Sequence, residues 1–218
     1  MSFFIHLNPL RHNIESVSLN MPYSSKVVVS ELEKENWKSS SNDFSNLKRF
    51  VLIDPESEIL KEIKEFITSD KIKEEIIDSF YNFFPNIQNV WNGWTKHQMF
   101  ERTVWDAVFI KDLPGFNMSK HVDSRTNVAT AIVYLNENPD EKRTTKFYTD
   151  KYGNEELTIE NSFGKGVISI NDSDTWHDVQ NNTDEPRYVL IVVLLLLIDF
   201  YDAEKHKDLF TPPPKITL

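Results

Sequence analysis

The sequence has no cysteine among its 218 residues, which excludes a disulfide framework, a thiolate metal site and a cysteine nucleophile. It is also short of basic residues: 24 Lys and Arg stand against 34 Asp and Glu, a formal net charge of −10. A general nucleic-acid binder needs a basic stripe against phosphate, so this balance argues against one. Long apolar runs are missing too. The longest, 189–198, is too short to span a bilayer and reads as a buried strand, so no membrane association is expected. No basic region followed by an apolar core opens the chain, so no signal peptide is read, and the expected setting is cytoplasmic. Repeats of useful length are absent. What is present, 39% hydrophobic and 12% aromatic residues, suffices for the core of one medium-sized domain.

The chain divides by composition into 1–98, with strands and supporting helices, 99–198, dense in short strands, and 199–218, a charged and proline-rich tail. Together they read as a single domain. Segments 3–7, 26–32 and 48–53 are rich in Val, Ile and Phe and read as strands. Polar 33–46 reads as a long loop, either surface filler or a lid. Asp54-Pro55 is expected to open a helix, with Ile59, Ile63, Phe66 and Ile67 on one face. A second helix from Asp70 carries Ile72, Ile76, Ile77 and Phe80 and ends before Pro85. Both are amphipathic and should pack on a sheet. Trp91 and Trp94 flank Gly93 in a connecting segment, as buried anchors or as a binding wall. From Met99 onward about eight short strands alternate with turn residues such as Pro114-Gly115 and Asn138-Pro139-Asp140. The expected class is α+β: a double-sheet jelly roll with the helices outside it.

One stretch in that strand-rich half carries chemistry. In an extended chain, residues two apart point to the same face, so His121 and Asp123 reach one point in space. His177, in a later strand-like run, supplies a second imidazole. Two imidazoles and a carboxylate on one side of a metal leave the other side open, the facial arrangement of non-haem Fe(II) sites. Arg187 follows His177 by ten residues and opens the long apolar strand. By alternation Arg187 shares an inward face with Val189 and Ile191, and an Arg among them is costly without an anion. That anion is either a bound carboxylate or a buried Asp or Glu. Thr130, Ile132 and Tyr134 share the inward face of their own strand. A second His-x-Asp, His206-Lys207-Asp208, lies in the charged tail with no later His and reads as incidental.

The pattern resembles the Fe(II)/2-oxoglutarate-dependent oxygenases, most closely their prolyl 4-hydroxylase-like group. The resemblance spans about 99–198. It rests on Pro114-Gly115, His121-Val122-Asp123, Arg125, Tyr134-Leu135-Asn136, Trp176-His177-Asp178-Val179 and Arg187. It implies a double-stranded β-helix and iron held by His121, Asp123 and His177. It further implies that Arg187 binds the distal carboxylate of 2-oxoglutarate with help from Tyr134. Thr130, inward like Tyr134, is placed with them at the co-substrate, and Arg125 and Trp176 are placed near the substrate. The activity implied is hydroxylation of an unactivated C–H with O2, supported by ascorbate. Asp123, where halogenating relatives have a small residue, favours hydroxylation. The implied target is a peptidyl proline. Hydroxylation of a free amino acid or other small molecule is the alternative, and a non-catalytic metal-binding jelly-roll module is the alternative of another class.

Overall fold

A computed structural model describes residues 1–11, 14–40, 48–83, 94–123, 127–148, 156–159, 161–171 and 175–197. Arg125, Trp91 and the whole 199–218 tail with its second His-x-Asp lie outside these residues. Among the described residues twelve strands form two antiparallel sheets. They are β1 (Ser2–Arg11), β2 (Ile14–Asn20), β3 (Lys38–Ser39), β4 (Arg49–Leu52), β5 (Thr103–Asp112), β6 (Phe116–His121), β7 (Asn127–Tyr134), β8 (Thr145–Tyr148), β9 (Glu156–Thr158), β10 (Lys165–Ile170), β11 (Trp176–Asn181) and β12 (Arg187–Leu196). The larger sheet runs β1-β2-β10-β7-β12-β5-β4-β3 and the smaller β6-β11-β8-β9. From β5 to β8, and again from β9 to β12, successive strands alternate between the sheets, as a jelly roll requires.

Two apolar layers follow from strand alternation. Ile110, Ile132, Tyr134, Phe147, Val167 and Val189 fill the space between the sheets. Phe109, Ala131, Val133, Leu135, Tyr188 and Leu190, one residue out of phase, form the opposite layer. Against that outer layer pack α1 (Ser25–Lys34), α2 (Glu58–Ile67) and α3 (Asp70–Phe83), through Val28, Leu32, Leu60, Ile63, Ile76 and Phe80. Trp105 of β5 donates its indole N–H to the Ile67 carbonyl at 2.6 Å, tying sheet to helix. The helices therefore lie outside the larger sheet and leave the barrel interior free.

Four local expectations change. Segment 26–32 is helical, not a strand, because its decisive apolar residues, Val28 and Leu32, are four apart and both fully buried. Ser24 caps that helix by accepting from the Val27 amide. The long loop expected over 33–46 is interrupted: α1 continues to Lys34, and Lys38–Ser39 pair with Val51 and Phe50. Residues 41–47 lie outside the described residues. Helix α2 starts at Glu58 after Ser57, not at Asp54-Pro55. Finally, 99–101 belong to a short helix, α4 (Lys96–Glu101), opened by a Thr95/Gln98 capping box, and the strand begins at Thr103.

Candidate metal and anion site

The turn Leu113-Pro114-Gly115-Phe116 delivers the chain into β6. Phe116 N–H donates to the Leu113 carbonyl at 3.0 Å, and Gly115 has φ +76°, the left-handed position that a type II turn gives to glycine. Strand β6 then pairs with β11 so that His121 lies directly opposite His177. The two rings sit 4.2 Å apart, centroid to centroid. Asp123 is two residues further, just past the strand end. Its Oδ1 stands 3.8 Å from His121 Nε2 and 3.7 Å from His177 Nε2. Among the described residues these three form the one group of His, Asp or Glu able to hold a metal ion, with ligand atoms within 4.8 Å of one another.

Each donor is oriented from behind. His121 Nδ1 lies 2.9 Å from the Ser119 carbonyl and His177 Nδ1 lies 3.1 Å from the Thr175 carbonyl. A carbonyl only accepts, so each Nδ1 carries the proton and each Nε2 keeps its lone pair for a metal. Thr130 on β7 donates to Asp123 Oδ2 at 3.0 Å and accepts from Asn171 Nδ2 at 2.9 Å. Oδ1 is thereby left as the oxygen able to face a metal. Burial lowers the His177 pKa, with Asp123 opposing and His121 reinforcing the shift, so the imidazole is held neutral. A six-coordinate ion with bonds of about 2.1 Å sets neighbouring ligands about 3 Å apart. The two imidazole–carboxylate distances exceed that spacing by less than about 1 Å, a side-chain adjustment.

Arg187 is 1% exposed and has a charge partner within the chain, the buried acidic residue of the two alternatives. Its NH1 donates to Asp112 Oδ2 at 2.7 Å and its NH2 donates to Thr145 Oγ1 at 2.9 Å. Alternation within β12 could not reveal this, because Asp112 comes from the neighbouring strand, directly across from Arg187. The pair does not close the account. Arg49 grips the same carboxylate, Nε to Oδ1 at 2.6 Å and NH2 to Oδ2 at 2.9 Å, so two cations share one anion. Arg187 Nε is buried without a hydrogen-bond partner. Tyr134 is buried with its ring 5.3 Å from the guanidinium carbon, and its hydroxyl accepts from the Thr145 amide at 3.0 Å, leaving its own proton to donate. Asn136 explains the Tyr134-Leu135-Asn136 stretch. Its side chain donates to the Pro186 carbonyl and accepts from the Tyr188 amide, locking the end of β7 to the start of β12 and so Tyr134 beside Arg187.

Thr130 is thus placed behind Asp123 rather than at the anion end. Trp176 is corrected as well: it shares a face of β11 with Asp178, opposite to buried His177, and so points away from the cluster. Asp178 accepts from the Tyr148 hydroxyl at 2.6 Å on that outer side. Trp94 is buried in the helix-side layer and takes no part in the site. Sequence reading missed Asp112, Thr145, Arg49 and Asn171. A charged residue closing the apolar strand β5 was the available signal for Asp112, whereas nothing local marked the other three.

No protein-family profile and no curated protein matches this sequence. Solved structures do match its shape. A prolyl-4-hydroxylase from Pseudomonas putida superposes with TM-score 0.54 at 14% identity, over 85% of this chain and 94% of its own. A prolyl hydroxylase from Trichoplax adhaerens, in complex with a hypoxia-inducible-factor peptide fragment, gives 0.56 at 14% over 92% and 88%. The epimerase SnoN from nogalamycin biosynthesis, with Fe3+, α-ketoglutarate and a nogalamycin compound, gives 0.54 at 13% over 94% and 88%. The chain therefore has the double-stranded β-helix fold of 2-oxoglutarate/Fe(II) oxygenases.

Proposed function

We propose that this chain is an Fe(II)- and 2-oxoglutarate-dependent dioxygenase that hydroxylates an unactivated C–H, its described elements serving one oxygenase domain. The observation that carries the reading is the layout of the inner face of β8. Phe147 lies against His177 of the metal cluster, ring centroids 5.4 Å apart, and Thr145 touches Arg187. Two residues along a strand is about 7 Å, so a metal and a buried cation stand at a separation suited to the two ends of a five-carbon 2-oxo diacid. His121, Asp123 and His177 would hold the iron, and Arg187 and Tyr134 the distal carboxylate.

With iron, 2-oxoglutarate and O2 bound, the chemistry supplied is oxidation of substrate C–H to C–OH, coupled to conversion of 2-oxoglutarate into succinate and CO2. The protein's part is orientation and shielding. The Nδ1 contacts to Ser119 and Thr175 keep both Nε2 lone pairs on the metal side. Thr130 keeps Asp123 presenting a single oxygen. The walls of Ile132, Val167 and Val189 exclude water from the anion end, where a charge-assisted fork gains most.

The substrate reading is a peptidyl proline, supported by two prolyl hydroxylases of like fold, one with a peptide bound. A small-molecule substrate is the second reading, favoured by the likeness to an epimerase solved with a nogalamycin compound. No described helix is long and apolar enough to cross a membrane. The test incubates the protein with Fe(II), ascorbate, O2 and 2-oxoglutarate against proline-containing peptides and free amino acids. Succinate and a product heavier by one oxygen atom are expected together from one panel. Failure of the protein to turn over 2-oxoglutarate under any of these conditions, with iron bound, would return the chain to the metal-binding-module reading.

A further inference from the structure

Arg49, Asp112 and Arg187 stand in one lateral row across three strands. Arg49 of β4 and Arg187 of β12 each lie directly opposite Asp112 of β5. The Asp112 side chain is fully buried, and the side chains of Arg187 and Arg49 are 1% and 13% exposed. Arg49 takes both carboxylate oxygens in a fork, and its guanidinium carbon lies 4.3 Å from the centre of the Phe116 ring. Arg187 reaches only Oδ2, through NH1.

Charge decides what this row can do. Asp112 and Arg187 alone make a formally neutral pair with much weaker attraction for a further anion than a free guanidinium. Arg49 turns the row into a net cation inside an apolar barrel, where a charge is costly until it is matched. The surplus has somewhere to act, because Arg187 Nε is buried without a partner. We propose that Arg49 is a positioning residue for the co-substrate: by forking Asp112 it offsets that carboxylate's charge and confines it to one edge of Arg187, leaving the rest of the guanidinium for the distal carboxylate of a 2-oxo diacid. This rests on the assignment of Arg187 to that carboxylate. Arg49 itself need not touch the ligand.

The experiment compares two ligands on the Mn(II)-loaded protein without O2. One is 2-oxoglutarate. The other is 2-oxobutyrate, which keeps the metal-binding end and lacks the distal carboxylate. Affinities are measured by calorimetry for wild type, Arg49→Met, Arg49→Lys and Arg187→Ala, with Mn(II) affinity measured separately. Arg49→Met should weaken 2-oxoglutarate by about ten- to a hundredfold, as for loss of one member of a buried charge network, and leave 2-oxobutyrate and Mn(II) unchanged. Arg49→Lys should recover part of the loss, since the charge returns without the fork. If Arg49→Met preserves the preference for the diacid, or weakens both acids and Mn(II) alike, the proposal is overturned. Should Arg49→Met not fold, Arg49→Lys decides: a preference equal to wild type overturns it. Should Arg187→Ala abolish the preference while both Arg49 variants keep it, only the role of Arg49 fails. Should Arg187→Ala also keep the preference, the anion-site reading fails with it.

Discussion

Which oxygen of Asp123 is able to face a metal is set by what holds the other one. Thr130 donates to Oδ2 and is itself held by Asn171. Thr130→Val keeps the shape and removes the hydroxyl, so Asp123 is free to rotate. Metal affinity should fall by about ten- to a hundredfold, the usual effect of losing a group that orients a ligand. An Fe(II) or Mn(II) titration checks this, and equal affinity in the variant would show that Asp123 needs no such support. At the anion end of the space between the sheets, Arg187→Ala should cost about 2–5 kcal/mol of 2-oxoglutarate binding, the range for truncating a buried charge partner. Tyr134→Phe should be milder, about 1–2 kcal/mol for one hydrogen bond to a charged group. Metal binding should survive both, because neither residue touches the ligand cluster. An anaerobic 2-oxoglutarate titration reads both losses, a separate Fe(II) or Mn(II) titration reads metal binding, and undiminished 2-oxoglutarate binding in Arg187→Ala would move the co-substrate elsewhere.

Among elements, β7 and β10 carry the tightest constraint. Gly166 of β10 lies opposite Val133, and a Cβ there would stand 1.9 Å from the Ile132 carbonyl oxygen. Backbone cannot yield as a side-chain tip can, so Gly166→Ala should destabilise toward the upper end of about 1–3 kcal/mol. Urea unfolding measures it, and an unchanged midpoint would mean the two strands separate freely. Strand β2 holds a liability of the opposite kind. Glu15 is 1% exposed, and neither carboxylate oxygen has a hydrogen-bond partner. Burial raises its pKa above the ordinary value. A carboxyl raised in the folded state adds stability below its unfolded pKa, and that contribution is lost as pH climbs through the folded one. Glu15→Gln should therefore unfold at higher denaturant than wild type at pH 8, and the gap should shrink toward pH 4. Identical midpoints at pH 8 would show that the Glu15 charge is matched after all.

For the whole molecule, a site built from both sheets should couple metal binding to stability. His121 and His177 come from the smaller sheet, and Asp123 is held by Thr130 of the larger. A divalent metal at a hundred times its dissociation constant should stabilise the fold by about 2.7 kcal/mol, which is about 5–10 °C in a chain of this size. A chelator should reverse the shift, and His177→Ala should not show it. Equal stabilisation of His177→Ala would place the metal elsewhere.

Much of this was readable in the chain itself, for physical reasons. Alternation placed Tyr134, Thr130 and Arg187 on inward faces, because a strand's side-chain period is two regardless of its partners. The spacing of His121 and Asp123 put two ligands within reach of one point. Helical periodicity found α2 and α3, whereas the β-branched run in 26–32 misread α1, because three adjacent valines hide which of them is buried. What no local pattern contains is register. Which residue lies across from Arg187 depends on how β5 and β12 are aligned, and only the pairing of whole strands makes it Asp112, with Arg49 beyond it. The same holds for His177 opposite His121 and for Thr130 behind Asp123. Face is a property of one strand and so is written in its sequence. Contact is a property of two strands, and the closure of the barrel decides it.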